Sequence, residues 1–171
     1  MNRRKFLILV PALGLAGCVS GGNTALVGPD GQPLPQVYKI TPAVAQEIPY
    51  RFLDSVNALR GAKALTPLTF NAQLNAAAET HSRDMSVQNR PWHFGSDGSS
   101  PLTRVQRVGF TGKLVGELIS ETYQTELETL SAWMAQDDTR GIIMDPSARQ
   151  LGLAWYQEPS GKIWWTAVTG A

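Results

Sequence analysis

NAQLNAAAETHSRDMSVQNRPWHFGSDGSSP, residues 71–101, is the segment of this chain with the strongest structural signal. It predicts a helix from about Asn71 to Asn89, followed by a loop and the start of another helix. The inward stripe of the first of these helices is formed by residues at steps of four, three and four: Leu74, Ala78, His81 and Met85. Ser100 and Pro101 are typical of an N-cap and a first helical position, so a short helix begins there.

Further elements are predicted on both sides of this segment. An earlier helix is expected to start near Pro49, and residues 125–128, TELE, fit a capping box that opens a later helix. Residues 113–119 are consistent with a strand. Alternating apolar residues from Leu151 and a return strand from Ile163 to Val168 indicate a hairpin. Helices first and a hairpin last predict an α+β fold in which helices cover an antiparallel sheet.

Three large side chains on these elements are expected to pack rather than to bind. His81 lies on the apolar stripe of its helix, where a hydrogen-bonded core histidine is favoured over a ligand. Trp164 and Trp165 point to opposite faces of their strand, so at most one of them shares the inner face. We expect the other to be partly exposed or covered by a further layer.

The first eighteen residues are organised like a lipoprotein export signal. Basic residues at positions 3–5 precede an apolar run from Phe6 to Ala16, which is shorter than the roughly 20 residues that a membrane-spanning helix needs. The following LAGC, residues 15–18, resembles the bacterial lipobox, in which the cysteine thiol receives a diacylglyceryl group. Two acyl chains give stable anchoring. The alternative is that Cys18 is a free thiol in an uncleaved leader, and both general and twin-arginine export remain open.

This pattern divides the chain into three parts. Residues 1–17 are predicted to be a signal peptide, residues 18–47 the lipidated Cys18 and a Gly- and Pro-rich tether, and residues 48–171 the folded domain. We therefore expect an exported, lipid-anchored protein that faces the periplasm of a bacterial envelope. Val19 does not resemble the aspartate that retains some lipoproteins at an inner membrane, so the outer membrane is favoured.

Composition limits the possible partners. Of 15 basic residues, three lie in the predicted signal, which leaves 12 basic against 14 acidic residues and no basic stripe for nucleic acid. The chain has one cysteine, so an intramolecular disulfide is impossible. We expect a monomer whose membrane contact is the acylated Cys18.

The order of the elements resembles the CAP superfamily, or SCP domain, named after cysteine-rich secretory, antigen 5 and pathogenesis-related proteins. The resemblance covers about residues 50–169 and implies a three-layer α-β-α sandwich. The matching pieces are VNALR at 56–60, AETHSRDM at 78–85, HFGSDGSSP at 93–101, GF at 109–110, GE at 116–117, AWM at 132–134, LGL at 151–153 and WT at 165–166.

The resemblance also implies a cleft. In the family, a histidine after the second helix and the glutamate of a Gly-Glu-Asn motif line a polar cluster that binds a divalent metal in some members. These two positions are His93 and Glu117 in this chain. The other positions depart from the pattern, because Leu118 replaces the asparagine and Thr139 and Ile163 replace two histidines.

The chemistry expected of this cleft is limited. A metal site normally needs three protein ligands, and His93 and Glu117 have only Asp97 or Glu121 as further candidates, so no metal cofactor is expected, with His93 and Glu117 as the possible ligands if one binds. No nucleophile-elbow signature is present, although a Glu–His pair can activate water. We expect a noncatalytic domain that binds a lipid, an envelope component or a protein. The alternatives are a metal-assisted or Glu-His-assisted envelope hydrolase and a structural or interaction module at the membrane surface.

Overall fold

A single four-stranded sheet lies at the centre of the structure, a computed structural model that describes residues 37–171. In chain order the elements are α1 (Pro42–Gly61), β1 (Thr69–Phe70), α2 (Ala72–Gln88), α3 (Pro101–Arg107), β2 (Leu114–Ser120), α4 (Glu126–Ala135), α5 (Asp137–Ile143), β3 (Gln150–Gln157) and β4 (Ile163–Gly170). The predicted signal peptide, Cys18 and the tether as far as residue 36 lie outside the described residues. None of the helices within residues 37–171 has the length and hydropathy that crossing a bilayer requires.

The sheet has the strand order β1-β3-β4-β2. β3 and β4 form the predicted hairpin, and β2 also runs antiparallel to β4. β1 pairs parallel to β3 through only two residues, so the sheet is mixed rather than wholly antiparallel. The parallel strand escaped prediction because a two-residue strand carries no alternation that a sequence pattern can register. The α+β prediction is confirmed.

Helices cover both faces of the sheet. α1 and α4 pack on one face, where Phe52 of α1 and Trp133 of α4 share a core with Trp165 of β4. α2 packs on the other face. The approach of α2 is close, because a Cβ atom on Gly152 would lie 2.2 Å from the backbone carbon of Leu74. Trp164 and Trp165 are both fully buried, since each face has its own helical layer. The three-layer sandwich implied by the resemblance is confirmed.

Local signals placed most helix ends correctly. Asn71 and Asn89 cap α2, Ser100 caps α3, and the Thr125–Glu128 capping box opens α4. The start predicted for α1 near Pro49 is wrong, because Thr41 caps the helix and Pro42 is its first residue. Pro49 lies inside α1, where its missing N–H leaves one backbone carbonyl without a helical donor. The sequence rule placed a proline in the first turn, and the helix has a proline there as well as one further along.

A buried arginine joins α1 to the segment before β3. Arg60 is fully buried, and its guanidinium donates to four backbone carbonyls, at 2.7 to 3.1 Å: those of Thr66, Ile143, Asp145 and Ala148. The Ile143 carbonyl lies at the C-terminal end of α5, and the other three belong to irregular backbone that no strand ladder or helix satisfies. The Arg60 guanidinium therefore supplies the hydrogen bonds that backbone N–H groups would supply to these carbonyls in a helix or a sheet.

We predict that Arg60→Met lowers the free energy of unfolding by about 3–5 kcal/mol, because the methionine keeps the apolar stem but leaves buried carbonyls without donors. Arg83→Met is the matched control. The Arg83 side chain is 59% exposed and pairs with Glu79 one helical turn away, so its loss should cost less than about 1 kcal/mol. Urea denaturation of both variants measures the difference, and equal losses would contradict the role given to Arg60.

Candidate functional site

The Glu117 carboxylate is the centre of the site. Glu117 lies on β2 opposite Val168, and its side chain is only 2% exposed. The Nη2 atom of Arg104 donates to both carboxylate oxygens, at 2.9 Å and 2.7 Å. Arg104 comes from α3 and is itself buried. A charge taken out of water is stable only with a matched partner, and here the partner is a guanidinium.

His93 contacts the same carboxylate from the loop that follows α2. Its Nδ1 atom is 2.9 Å from Oε1 of Glu117, and its side chain is half exposed. The carboxylate oxygen is the acceptor in this contact, so His93 donates the hydrogen bond from Nδ1. The structure therefore brings together the two cleft residues that the resemblance implied. The chemical role of the pair stays a prediction.

His81 lies behind this pair and is fully buried. Its Nε2 atom is 3.0 Å from the backbone oxygen of Trp92 and 3.6 Å from Oε1 of Glu117. Two oxygens face Nε2, so this nitrogen carries the proton, and Nδ1 has no hydrogen-bond partner among the described residues. Burial lowers the pKa of His81. The positive charge of Arg104 acts in the same direction, while Glu117 opposes it. His81 is thus a neutral core histidine, as its place on the helix predicted.

Arg104 also fixes the loop that carries His93. Its Nη1 atom donates to the backbone oxygen of Ser99 at 2.9 Å, and Nη2 donates to the backbone oxygen of His93 at 2.9 Å. One guanidinium therefore connects α3 to β2 and to the loop after α2. Sequence analysis missed this residue, because its carboxylate partner, Glu117, is thirteen positions further along the chain.

The remaining family positions do not contribute ligands. Leu118 and Ile163 are buried apolar side chains. Thr139 uses its hydroxyl to donate to the backbone oxygen of Trp133. The two extra carboxylates that sequence analysis considered are engaged elsewhere, Asp97 with Arg107 and Glu121 with Lys162.

These residues do not fit a divalent metal. Within residues 37–171, no group of three or more histidine, cysteine, aspartate or glutamate side chains is arranged to hold an ion. The cation beside Glu117 is the Arg104 guanidinium, which occupies both carboxylate oxygens. A metal at Glu117 would bring a second positive charge close to the buried guanidinium, and the two like charges would repel each other.

Two open concavities lie near the cluster. One, of about 260 Å³, is lined by residues of β2, α4 and α5 that include Ile119, Tyr123, Trp133, Gln136 and Thr139. We call it the β2–α5 cleft. The other, of about 390 Å³, has Arg104 in its wall, together with residues of α2 and the loop before α3.

The arrangement orients one imidazole but offers it no nucleophile. The serines close to His93 in sequence are occupied elsewhere: Ser96 donates to Asp84, and Ser100 caps α3. Among the described residues, none donates a hydroxyl hydrogen bond to His93. The half-exposed imidazole can therefore take part in proton transfer, and any attacking group would have to be water.

Comparison with known proteins identifies the family. Residues 53–169 match the family described as "CAP: Cysteine-rich secretory protein family". Over 142 residues the chain is 27% identical to the uncharacterized protein YkwD of Bacillus subtilis (strain 168), an alignment that covers 83% of this chain and 54% of that protein. The chain thus spans about half the length of this relative.

Solved structures give the same fold. An outer surface protein from Borrelia burgdorferi aligns with a TM-score of 0.69 and 14% identity, over 79% of this chain and 98% of that one. An extracellular protein containing a SCP domain from Bacillus anthracis str. Ames aligns with a TM-score of 0.67 and 21% identity, over 78% of this chain and 45% of that one. At these identities the likeness establishes the fold alone.

We predict that stability falls as the pH drops below the usual His81 pKa near 6.5. The lowered pKa means that the unfolded chain takes up this proton first, so protons favour unfolding until the folded-state pKa is passed. Urea denaturation at pH 7.5 and at successive lower pH values measures the slope. His81→Gln, which keeps a donor near the Nε2 position, should flatten the slope over this range. An unchanged slope in that variant would contradict the assignment.

Proposed function

Because the chain belongs to the cysteine-rich secretory protein (CAP) family, we propose that it is an exported, lipid-anchored envelope protein whose CAP domain binds a ligand or partner without catalysing a reaction. The anchoring part of this proposal rests on Cys18, which follows a basic segment and a short apolar run. A diacylglyceryl group at this thiol would hold the domain at a membrane surface through two acyl chains.

The state of Glu117 carries the noncatalytic part. Both of its oxygens accept from Arg104, and one also faces His93, with the side chain almost fully buried. A general base or a metal ligand needs a lone pair that faces the substrate. Glu117 keeps acceptor capacity beyond these contacts, but a side chain that is 2% exposed leaves little of the carboxylate accessible to a substrate.

The β2–α5 cleft is the site that we propose for the ligand. Ile119, Tyr123 and Trp133 give it an apolar side, while Gln136 and Thr139 add an amide and a hydroxyl. Its volume of about 260 Å³ is slightly below the usual range of small-molecule sites, which begins at about 300 Å³. These properties favour a small amphipathic group, such as part of a lipid or of a peptidoglycan-linked component, over a long extended chain.

One observation keeps hydrolysis as a second candidate. His93 is half exposed, and its Nδ1 atom bonds a carboxylate, so Nε2 is the ring nitrogen that is left for a second partner. This is the orientation that a general base acting on water needs. As a hydrolase, the protein would act on an envelope peptide or glycan, with Glu117 orienting His93.

Mass spectrometry of the native protein, extracted from its own membranes in detergent, tests the proposal. We expect a mature chain that begins at an acylated Cys18 and a small molecule that copurifies with it. Gln136→Trp places a bulky side chain in the cleft and should reduce that molecule about tenfold. Gln106→Trp is the control, because Gln106 is exposed on α3 and does not line the cleft.

Each part of the proposal has its own contrary result. A product that starts at Met1 with an unmodified thiol would contradict lipid anchoring. A copurifying molecule that is retained equally by both tryptophan variants would contradict the cleft as its site. Turnover of envelope peptides or glycans that disappears in His93→Gln would favour the hydrolase.

A further inference from the structure

The outer edge of β3 is only partly covered by its neighbouring strand. β1 pairs with β3 at Gln150 and Leu151, whereas β3 continues to Gln157. On its other side β3 is paired with β4 along its whole length. Beyond β1, residues 153–157 of β3 therefore form a sheet edge, which we call the β3 edge. At about 3.3 Å per residue it is about 13 Å long.

Backbone groups on this edge point away from β4. The Asn71 N–H donates to the Leu151 carbonyl, and the Leu153 N–H donates to the side chain of Asn75. Because direction alternates along a strand, the N–H and C=O of Trp155 face the same way. Among the described residues, no group outside the hairpin bonds to the Leu153 carbonyl or to either backbone group of Trp155.

A groove runs along the β3 edge between α1 and α2. Two adjoining concavities, of about 330 Å³ and 410 Å³, share Pro49 and Asn75 in their walls. One has Leu153 and Trp155 at its base, and the other extends to Phe70. Phe70 is 36% exposed, so the groove offers apolar contacts on both sides of the free backbone groups.

We propose that the β3 edge binds an extended polypeptide segment of a partner protein, which adds a strand beside β3. The Trp155 N–H and the carbonyls of Leu153 and Trp155 match another extended backbone, and a lipid tail has no groups that match them. Flanking helices confine the occupant to a single strand of about four or five residues. This site lies at the opposite edge of the sheet from β2, so the inference does not depend on the proposed ligand cleft.

Charge does not select the occupant, because the Glu79 carboxylate in the wall of the groove already pairs with Arg83. A second copy of this chain would bring its own flanking helices to the same edge, so pairing of two copies is disfavoured.

Heptapeptides selected from a displayed random library against the purified full chain test this inference. A selected peptide should lose about tenfold or more in affinity when alternate residues of one set are N-methylated, and little when the other set is, because only one set faces β3. Hydrogen exchange gives an independent readout. In the free protein the Trp155 amide should exchange faster than those of Ala154 and Tyr156, and bound peptide should slow it.

A matched pair of α1 variants tests the groove. Pro49→Arg places a long charged side chain in it and restores a helical N–H, so the variant should fold and lose about tenfold or more in peptide affinity. Ala58→Arg, on an exposed position of the same helix, should bind as the wild type does. Failure to select any peptide, or binding that ignores both N-methylation and Pro49→Arg, would overturn the inference. So would a concentration-dependent dimer that Pro49→Arg abolishes, since the occupant would then be a second copy.

Discussion

The buried contact between Glu117 and Arg104 is the interaction on which the site depends. It joins β2 to α3, and through the backbone oxygens of Ser99 and His93 it also holds the loop after α2. The Glu117 carboxylate is 2% exposed. An ionised group that is removed from water without a partner of opposite charge strongly destabilises the folded state, so this carboxylate needs Arg104. His93 and His81 both lie beside Glu117 Oε1, at 2.9 Å and 3.6 Å, and add to a contact that Arg104 already makes.

The same contact supports the proposal that the domain binds a ligand or partner without catalysing a reaction. The family resemblance implied a polar cluster at this place that binds a metal in some members, whereas here a guanidinium contacts the carboxylate. Leu118 and Ile163 are buried, and Thr139 turns its hydroxyl to a backbone carbonyl. The two sites proposed for recognition are the β2–α5 cleft and the β3 edge, which lies toward the opposite edge of the sheet from β2.

Sequence predicted the features that rest on local rules. The bounds of α2, the cap of α3, the capping box of α4 and the terminal hairpin each have their signal within a few residues. Arg60 and Arg104 could not be found in this way, because their partners are carbonyls and a carboxylate that only the fold brings near. The start of α1 was predicted wrongly because prolines are expected in the first turn of a helix, whereas Pro49 lies inside α1. His93 and Glu117 came from the family resemblance.

The most direct measurement is a double-mutant cycle on Glu117 and Arg104, with unfolding free energies of the wild type, Glu117→Gln, Arg104→Met and the double variant. If the pair is the structural centre, each single variant loses several kcal/mol, about 3–5, and the double variant loses much less than the sum. A coupling energy near zero, with both single variants as stable as the wild type, would contradict the claim that this pair is the structural centre of the site.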